Sequence, residues 1–215
     1  KKNCLQDHKV STKGMFISMG KIYCIIGKSS TGKDTIYKRL IEDKELDLHR
    51  IVPYTTRPIR EGEKEGVEYH YTDENTLQKY RDENMLVECR AYHTIYGIWY
   101  YYTVQDEQID LSLHSYLVPG VLESYCMTRD YFGADKVIPI YIEVEDGERL
   151  LRALNREKSQ SVPKYEEMCR RFLADNQDFS EENLKKAGIK RIFYNNDLDQ
   201  CIEEIKSYMK ETEHK

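Results

Sequence analysis

The chain has 215 residues, 40% hydrophobic and 33% charged, and its formal net charge is −5. That length suits one compact domain with small lobes, and the acidic balance argues against nucleic-acid binding, which usually needs a basic face. No apolar run approaches the roughly 20 residues needed to cross a bilayer, and the six cysteines are scattered without a C-x-x-C pair. We therefore expect a cytoplasmic protein with reduced thiols that binds neither nucleic acid nor membranes.

Short apolar runs alternate with amphipathic stretches, which predicts helices packed on a mostly parallel sheet. Residues 1–19 are expected to be an N-terminal tail or an added leader, ahead of a domain at 20–215. In chain order, the pattern predicts a strand at 21–26, a helix at 32–41, a strand at 115–118 that Pro119 and Gly120 stop, a strand at 137–144, helices at 146–155 and 164–186, a strand at 190–194 and a helix at 198–209. Pro139 suggests an edge position or an irregular start for its strand. Residues 50–112, rich in tyrosine, charge and turn residues, are interpreted as an inserted lobe.

Residues 27–33 read Gly-Lys-Ser-Ser-Thr-Gly-Lys and fit the spacing G-x-x-x-x-G-K between a predicted strand and a predicted helix. Glycines at the first and sixth positions let the backbone wrap a phosphate with its N–H groups inward, and the helix adds its positive N-terminal end. Lys33 is expected to reach the β- and γ-phosphates of a nucleotide. The alternative is a Gly/Ser turn that matches this spacing by chance.

The position after Lys33 departs from the general motif. Asp34 stands where a Ser or Thr usually directs a hydroxyl toward Mg²⁺, and an acidic group there would normally repel phosphates. Thr35 can supply a hydroxyl one step later. Asp34 is therefore expected either to point away from the phosphates or to help hold the metal through water, and the sequence leaves both options open.

A second informative segment runs from 54 to 71 and contains Arg57, Arg60 and Tyr69. Two arginines and a phenol can form a clamp for a phosphate dianion, because guanidinium groups bind it in forked geometry and the hydroxyl adds a donor. Gly62 and Gly66 permit a tight return that would bring Tyr69 back to the arginines. The alternative is a solvated, charged loop.

Together these two stretches resemble guanylate kinases, which read T-T-R-x-x-R-x-G-E-x-x-G-x-x-Y-x-F in the second segment. The resemblance implies that Arg57, Arg60 and Tyr69 hold the acceptor monophosphate. It also implies that Glu88 accepts hydrogen bonds from the N1 and N2 edge of guanine, and that Tyr96, followed by Gly97, is a further phosphate ligand. A carboxylate suits two adjacent N–H donors, so the role of Glu88 is chemically sensible.

The same resemblance implies an α/β, P-loop NTPase three-layer fold with a mainly parallel sheet, a core at 20–50 and 113–211, a monophosphate-binding lobe at about 51–112 and a small lid at about 157–167. The implied reaction transfers the γ-phosphoryl group of ATP, with Mg²⁺ as cofactor, to a nucleoside monophosphate, GMP giving GDP. The implied catalytic residues, which would neutralise charge on the transferred group, are Lys33, Arg152, Arg156 and Arg171. The implied ATP-binding residues are Gly27, Lys28, Ser29, Ser30, Thr31, Gly32, Lys33, Asp34, Thr35 and, near the base, Asn195. The metal has no firm protein ligand, and Thr35 is a candidate through Mg-ATP.

Three departures bear on the acceptor base. Pro53 and Ile98 occupy positions where the family has hydroxyl side chains that contact guanine. At the end of the strand at 115–118 the family has two aspartates, and this chain has Pro119-Gly120-Val121 instead. These losses suggest a base preference relaxed or changed from GMP. The aromatic run at 99–102 is expected to be core of the lobe more than a surface on which a base stacks.

Two alternative functions are a kinase of a different nucleotide or small acceptor and a non-catalytic guanylate-kinase-like module that binds proteins. Such modules usually lose the phosphate loop, whereas Gly27, Gly32 and Lys33 are all present. The oligomeric state is left open.

Overall fold

The structure is a computed structural model that describes residues 19–94 and 96–213. The predicted leader at 1–19 lies, apart from Met19, outside the described residues. In chain order the elements are β1 (Ile22–Gly27), α1 (Lys33–Ile41), β2 (Leu48–His49), β3 (Tyr54–Thr55), β4 (His70–Tyr71), α2 (Glu74–Asp82), β5 (Leu86–Thr94), β6 (Gly97–Val104), β7 (Ser115–Gly120), α3 (Leu122–Phe132), β8 (Val137–Glu143), α4 (Asp146–Lys158), α5 (Tyr165–Asp178), α6 (Glu181–Lys186), β9 (Ile192–Tyr194) and α7 (Leu198–Glu213).

A five-stranded parallel sheet forms the centre of the molecule, in the order β2-β7-β1-β8-β9. Strand β1 is buried along its whole length because its side chains alternate between two apolar layers. Ile22 and Ile26 pack toward α3 and the 179–189 region, whereas Tyr23 and Ile25 pack toward α1 and α7. The predicted three-layer α/β fold with a mainly parallel sheet is confirmed.

One prediction about proline was wrong, and one of the two options offered for a second proline, an edge position, is not found. Strand β7 continues through Pro119 and Gly120, which pair with Ile25 and Ile26 of β1. Strand β8 is not an edge strand, because it lies between β1 and β9. Pro139 is tolerated there since β9 pairs with β8 only from Tyr141 onward, so a missing N–H at 139 removes no hydrogen bond to β9.

The helix predicted at 164–186 is two helices. Helix α5 ends at Asp178, and α6 begins after Ser180, whose side chain accepts a hydrogen bond from the Asn183 N–H. This serine cap starts a new helix and lets Phe179 turn into the core, where it is 5% exposed. None of the helices within the described residues is long and apolar enough to cross a membrane.

The lobe between β2 and β7 carries a second sheet of four strands, in the order β4-β3-β6-β5, and α2. Strands β5 and β6 form an antiparallel hairpin, so their side chains alternate between two faces. Tyr100 and Tyr102 pack with Leu77 and Val104 in the core of the lobe. Trp99 and Tyr101 lie on the opposite face and line a cleft toward the main sheet. The expectation that the aromatic run is core therefore holds for two of its four members.

Candidate functional site

The loop between β1 and α1 has a backbone that L-amino acids rarely adopt. Gly32, the residue before α1, has a φ of 84°, and Ser30 has a φ of 66°. A Cβ on Gly32 would lie 2.5 Å from the Asn195 side chain, and one on Gly27 would lie 2.7 Å from the Ile142 carbonyl oxygen. Both glycines are thus needed for close backbone approach, and the left-handed turns form the kind of concave N–H nest that binds anions.

Around this loop the structure assembles the basic residues predicted to be catalytic. A cavity of about 260 Å³ is lined by Ser29, Ser30, Gly32, Lys33, Asp34, Thr35, Arg152, Arg156 and Arg171. Arg152 donates to Glu148 Oε1 at 2.8 Å and to the Asn195 carbonyl oxygen at 3.3 Å. Arg156 and Arg171 are exposed and border the cavity from α4 and α5. Three helices therefore direct positive charge at one space.

Lys33 and Asp34 form an ion pair, with Lys33 Nζ 2.9 Å from Asp34 Oδ1. Of the two options that the sequence leaves for Asp34, this arrangement is closer to the first, because its carboxylate contacts the lysine instead of turning into the loop. The pair is peripheral, since the Asp34 side chain is 85% exposed. A phosphate arriving at Lys33 would compete with this carboxylate.

Three residues predicted to bind ATP use their side chains to hold the loop instead. Lys28 Nζ lies 3.5 Å from Asp146 Oδ1 and 3.7 Å from Glu143 Oε1. Thr31 is fully buried, and its hydroxyl donates to the Lys28 carbonyl oxygen at 2.9 Å. The Asn195 side chain donates to the Thr31 carbonyl oxygen at 2.8 Å. These contacts fix the shape of the loop from its outer side.

A buried arginine behind the loop was missed by the sequence reasoning. Arg149 is 1% exposed and stacks on Phe172, with its guanidinium carbon 4.2 Å from the ring centroid. It donates to Asp146 Oδ1 at 3.0 Å and to Asn176 Oδ1 at 2.6 Å. Burial alone would raise the pKa of Asp146, but Arg149 and Lys28 outweigh it and hold that pKa below its ordinary value.

Asp175 connects the same arginine to the phosphate loop. Its Oδ2 accepts hydrogen bonds from the Ser29 backbone N–H at 2.7 Å and from the Ser29 hydroxyl, and lies 3.4 Å from Arg149 Nη1. Asp175 and Arg171 are both on α5, so this contact ties the helix that carries Arg171 to the loop that carries Lys33. The i,i+3 spacing of Asp146 and Arg149 was visible in the sequence, whereas nothing in it pointed to Asp175.

In the lobe, Arg57 is already bound by a carboxylate. Its Nη1 and Nη2 donate to the two oxygens of Glu63 at 2.7 and 2.6 Å, and the side chain is 3% exposed. Tyr71 and the Arg60 backbone N–H also donate to Glu63. Arg57 holds the pKa of Glu63 at about 2, well below its ordinary value. The predicted phosphate clamp is therefore internally neutralised, with the Tyr69 ring 5.0 Å from the Arg57 guanidinium and the Arg60 side chain exposed.

One face of the β5–β6 hairpin, which we call the cleft face, borders the space between the lobe and the main sheet. It consists of three cross-strand pairs, Glu88 with Thr103, Arg90 with Tyr101 and Tyr92 with Trp99. Glu88 is 6% exposed, and its two carboxylate oxygens accept hydrogen bonds from the Thr103 hydroxyl at 3.0 Å and from Arg90 Nε at 2.9 Å.

Two cavities meet along the cleft face. The first, of about 270 Å³, is lined by residues that include Glu88, Arg90, Val118 and Thr128. The second, of about 550 Å³, extends to Lys33 and is lined by Arg90, Tyr92, Trp99 and Tyr101. Pro53, Tyr69, Arg90, Pro119 and Gly120 line both. Lys33 therefore faces the lobe as well as the phosphate loop.

Sequence reasoning missed Arg90, although its position two residues after Glu88 on a strand places the two side chains on one face. Tyr96, predicted to bind phosphate, lies at the tip of the hairpin, where it is 79% exposed and stacks on Trp99. Ile98 is also exposed near that tip. The structure thus brings Tyr69, Glu88 and Lys33 to connected cavities and leaves Tyr96 at their outer edge.

The parallel sheet, the phosphate loop between β1 and α1 and the lobe inserted before β7 define an α/β P-loop protein of the nucleotide-binding class. A family model for guanylate kinase matches residues 19–109. The chain is similar to guanylate kinases in sequence, both in this segment and over most of its length.

The relatives are similar over most of their length. A guanylate kinase of Campylobacter jejuni (strain RM1221) is 24% identical over 192 residues, which cover 88% of each chain. One of Porphyromonas gingivalis is 27% identical over 191 residues, which cover 87% of this chain and 95% of that protein. A crystal structure of guanylate kinase from Anaplasma phagocytophilum matches with a TM-score of 0.63 at 18% identity, covering 92% of this chain and 88% of that one, and supports the fold.

Proposed function

We propose that this protein transfers the γ-phosphoryl group of Mg-ATP to a nucleoside monophosphate, with GMP as the acceptor. The observation that carries the proposal is the position of Lys33. It lines the cavity of the phosphate loop together with three arginines, and it also lines the cavity that the cleft face borders. A donor phosphate held by the loop and an acceptor held in the lobe would meet at this lysine.

On the ATP side, backbone N–H groups of the loop would hold the phosphates, and Lys33 would bind the β- and γ-phosphates. Phosphoryl transfer gains mostly from positioning and from neutralising charge on the transferred group, and little from covalent chemistry by the protein. Arg152, Arg156 and Arg171 would supply that neutralisation. Two of them are exposed, so ATP would not have to displace buried partners from them.

Mg²⁺ would enter with ATP. The ion would be coordinated largely by phosphate oxygens and water. Thr35, exposed in the first turn of α1, has a hydroxyl that fits the role of a ligand. When bound, the ion supplies positive charge to the β- and γ-phosphates.

On the acceptor side, Arg60 and Tyr69 would make the first contacts with the monophosphate, and Tyr96 would approach from the hairpin tip. Arg57, buried and paired with Glu63, would stabilise the phosphate through its positive charge from beneath Tyr69. Glu88 would accept from the N1 and N2 groups of guanine, because each carboxylate oxygen can accept a second hydrogen bond.

The proposal divides the chain by role. Residues 20–50 and 113–211 would form the ATP-binding core, residues 51–112 the acceptor lobe and residues 157–167 a small lid. The lid would be anchored at its start, since Glu157 is buried and its Oε2 accepts from the Lys164 backbone N–H at 3.0 Å.

The decisive experiment is a coupled assay of ATP consumption with GMP, dGMP, AMP, CMP, UMP and dTMP. The native chain should turn over GMP, and Lys33→Ala should lower kcat/KM by roughly 10³-fold, because a charge on the transferred group loses its nearest counterion. Lys38→Ala, on the exposed side of the same helix, is the matched control and should change little. If the native chain turned over none of these monophosphates and bound a peptide tightly, the proposal of an enzyme would be wrong and a protein-binding module would be supported instead.

A further inference from the structure

Arg90 has an unusual position for a charged residue, at the centre of the cleft face and between two cavities. Its side chain is 21% exposed and lines both the 270 Å³ and the 550 Å³ cavity. The hydrogen bond from Nε to Glu88 holds the guanidinium beside the carboxylate that the proposed function assigns to the base. Arg90 is therefore fixed within reach of the same base edge.

The pair presents a donor next to an acceptor. A guanidinium has five N–H donors and no acceptor, so the contact through Nε leaves the terminal nitrogens with four. Each oxygen of Glu88 accepts one hydrogen bond within the protein and can accept another. Such an edge complements a lactam, in which a carbonyl oxygen stands beside a ring N–H.

Arg50, Tyr37 and Tyr69 also carry donors into the first cavity, but Arg90 is the arginine that is hydrogen-bonded to Glu88. The three hydroxyls near the pair already donate elsewhere. The hydroxyls of Thr103, Ser124 and Thr128 donate to Glu88, to the Val121 carbonyl oxygen and to the Ser124 carbonyl oxygen, at 3.0, 2.9 and 2.8 Å. Pro53 and Pro119, which line both cavities, have no side-chain donor. An exocyclic amino group placed against Arg90 would face a second donor and leave both unpaired, which is costly in a desolvated site.

We propose that Arg90 is a specificity-determining residue whose guanidinium donates to the carbonyl oxygen at position 6 of the guanine base, while Glu88 accepts from the N–H groups beside it. This inference rests on the proposed function. It also gives the base preference a physical basis, because Pro53 and Ile98 have no side-chain donor for the base. The preference for GMP is then retained through a different residue instead of being lost.

The test compares substrates that differ at single positions of the base. 6-Thioguanosine monophosphate keeps the N1 and N2 donors and replaces the oxygen at position 6 by sulfur, a larger and weaker acceptor, whereas IMP keeps the carbonyl and lacks the amino group at position 2. The native chain should prefer GMP to the 6-thio analogue by about tenfold or more in kcat/KM, the factor expected for a hydrogen bond from a charged donor. Arg90→Met should abolish that preference and leave the ratio of GMP to IMP largely unchanged.

Arg81→Met removes an exposed arginine from the same lobe and is the matched control, for which both ratios should stay native. Arg90→Lys, which keeps the charge beside Glu88 but loses the fork, should reduce the preference partially and serves if the methionine variant does not fold. If Arg90→Met and Arg90→Lys lowered kcat/KM equally for GMP and its 6-thio analogue, the role of Arg90 would be overturned and the proposed function would stand. Turnover of AMP or CMP in place of GMP would also overturn the role of Arg90, and a native chain inactive with every monophosphate would overturn the proposed function as well.

Discussion

The phosphate loop and the cleft face handle charge in different ways. Around the loop, the groups that would meet ATP are backbone N–H groups, Lys33 and two exposed arginines. In the lobe, two arginines of the proposed acceptor site already have carboxylate partners, Arg57 with Glu63 and Arg90 with Glu88, whereas the Arg60 side chain is exposed. The phosphate contacts proposed for the first region would not distinguish one nucleoside triphosphate from another, because the phosphates are alike. The second can be selective, because a ligand must fit or replace existing contacts.

The two regions also differ in what supports them. The loop is held from outside by Asp146 on α4, which Lys28 contacts, by Asp175 on α5 and by Asn195, which follows β9. The cleft face is held by one hairpin and its cross-strand pairs. The proposed donor site and the proposed acceptor site lie on different sheets, which would suit a reaction in which two substrates must be brought together.

The largest expected effect concerns the support of the loop. Arg149→Met should lower the free energy of unfolding by about 3 kcal/mol, because it leaves Asp146 and Asp175 without their shared buried counterion. Urea denaturation measures it. Arg170→Met removes an exposed i,i+3 pair with Glu167 and should cost less than about 1 kcal/mol. Equal, small losses would mean that the loop does not depend on this network.

A smaller effect, dependent on pH, should appear in the lobe. Because the folded-state pKa of Glu63 is about 2, below its ordinary value of 4.5, its pairing with Arg57 stabilises fully above pH 4.5. That contribution is lost as the pH falls from 4.5 to about 2. The difference in Tm between the native chain and Glu63→Gln should therefore be largest near pH 6 and shrink on acidification.

Glu61→Gln, an exposed carboxylate two residues earlier, controls for net charge and should show no such pH-dependent difference. A Tm difference for Glu63→Gln that stays constant from pH 6 to pH 2.5 would assign the stabilisation to packing instead of charge, and would weaken the contrast between a pre-paired lobe and an open loop.

The smallest effect concerns Asp34. Asp34→Ser should lower the KM for ATP by up to about fivefold, because phosphate would no longer compete with the Asp34 carboxylate for Lys33. An exposed ion pair of this kind contributes about 1 kcal/mol at most. Steady-state kinetics at saturating GMP measure this, with Glu42→Gln near the end of the same helix as the control for charge. A raised KM would instead show that Asp34 assists metal binding, and the loop would then contain a functional carboxylate.

Much of the loop could be predicted because its determinants are contiguous. Gly27, Gly32 and Lys33 lie within seven residues, and the strand and helix around them have clear apolar patterns. Strands β1, β7, β8 and β9 could be predicted for the same reason, whereas β2, α3 and the order of the strands in the sheet were not predicted. The strand end predicted at Pro119 and the edge position offered for Pro139 were wrong, because a local rule about proline says nothing of which neighbouring strand is paired at that residue.

The sequence by itself determined which chemical groups this protein has for binding phosphates, since motif spacing and residue type fix a phosphate loop and a set of arginines. Only the tertiary structure decided which of those groups remain open. Asp175 reaches Ser29 across 146 residues, and Asn195 reaches Thr31 across 164. Arg57 meets Glu63 because the chain between β3 and β4 folds back on itself, and Arg90 meets Glu88 because both lie on one face of β5. The reason is physical, because the pairing of a charged side chain depends on distance in space and on burial, neither of which the order of residues along the chain specifies.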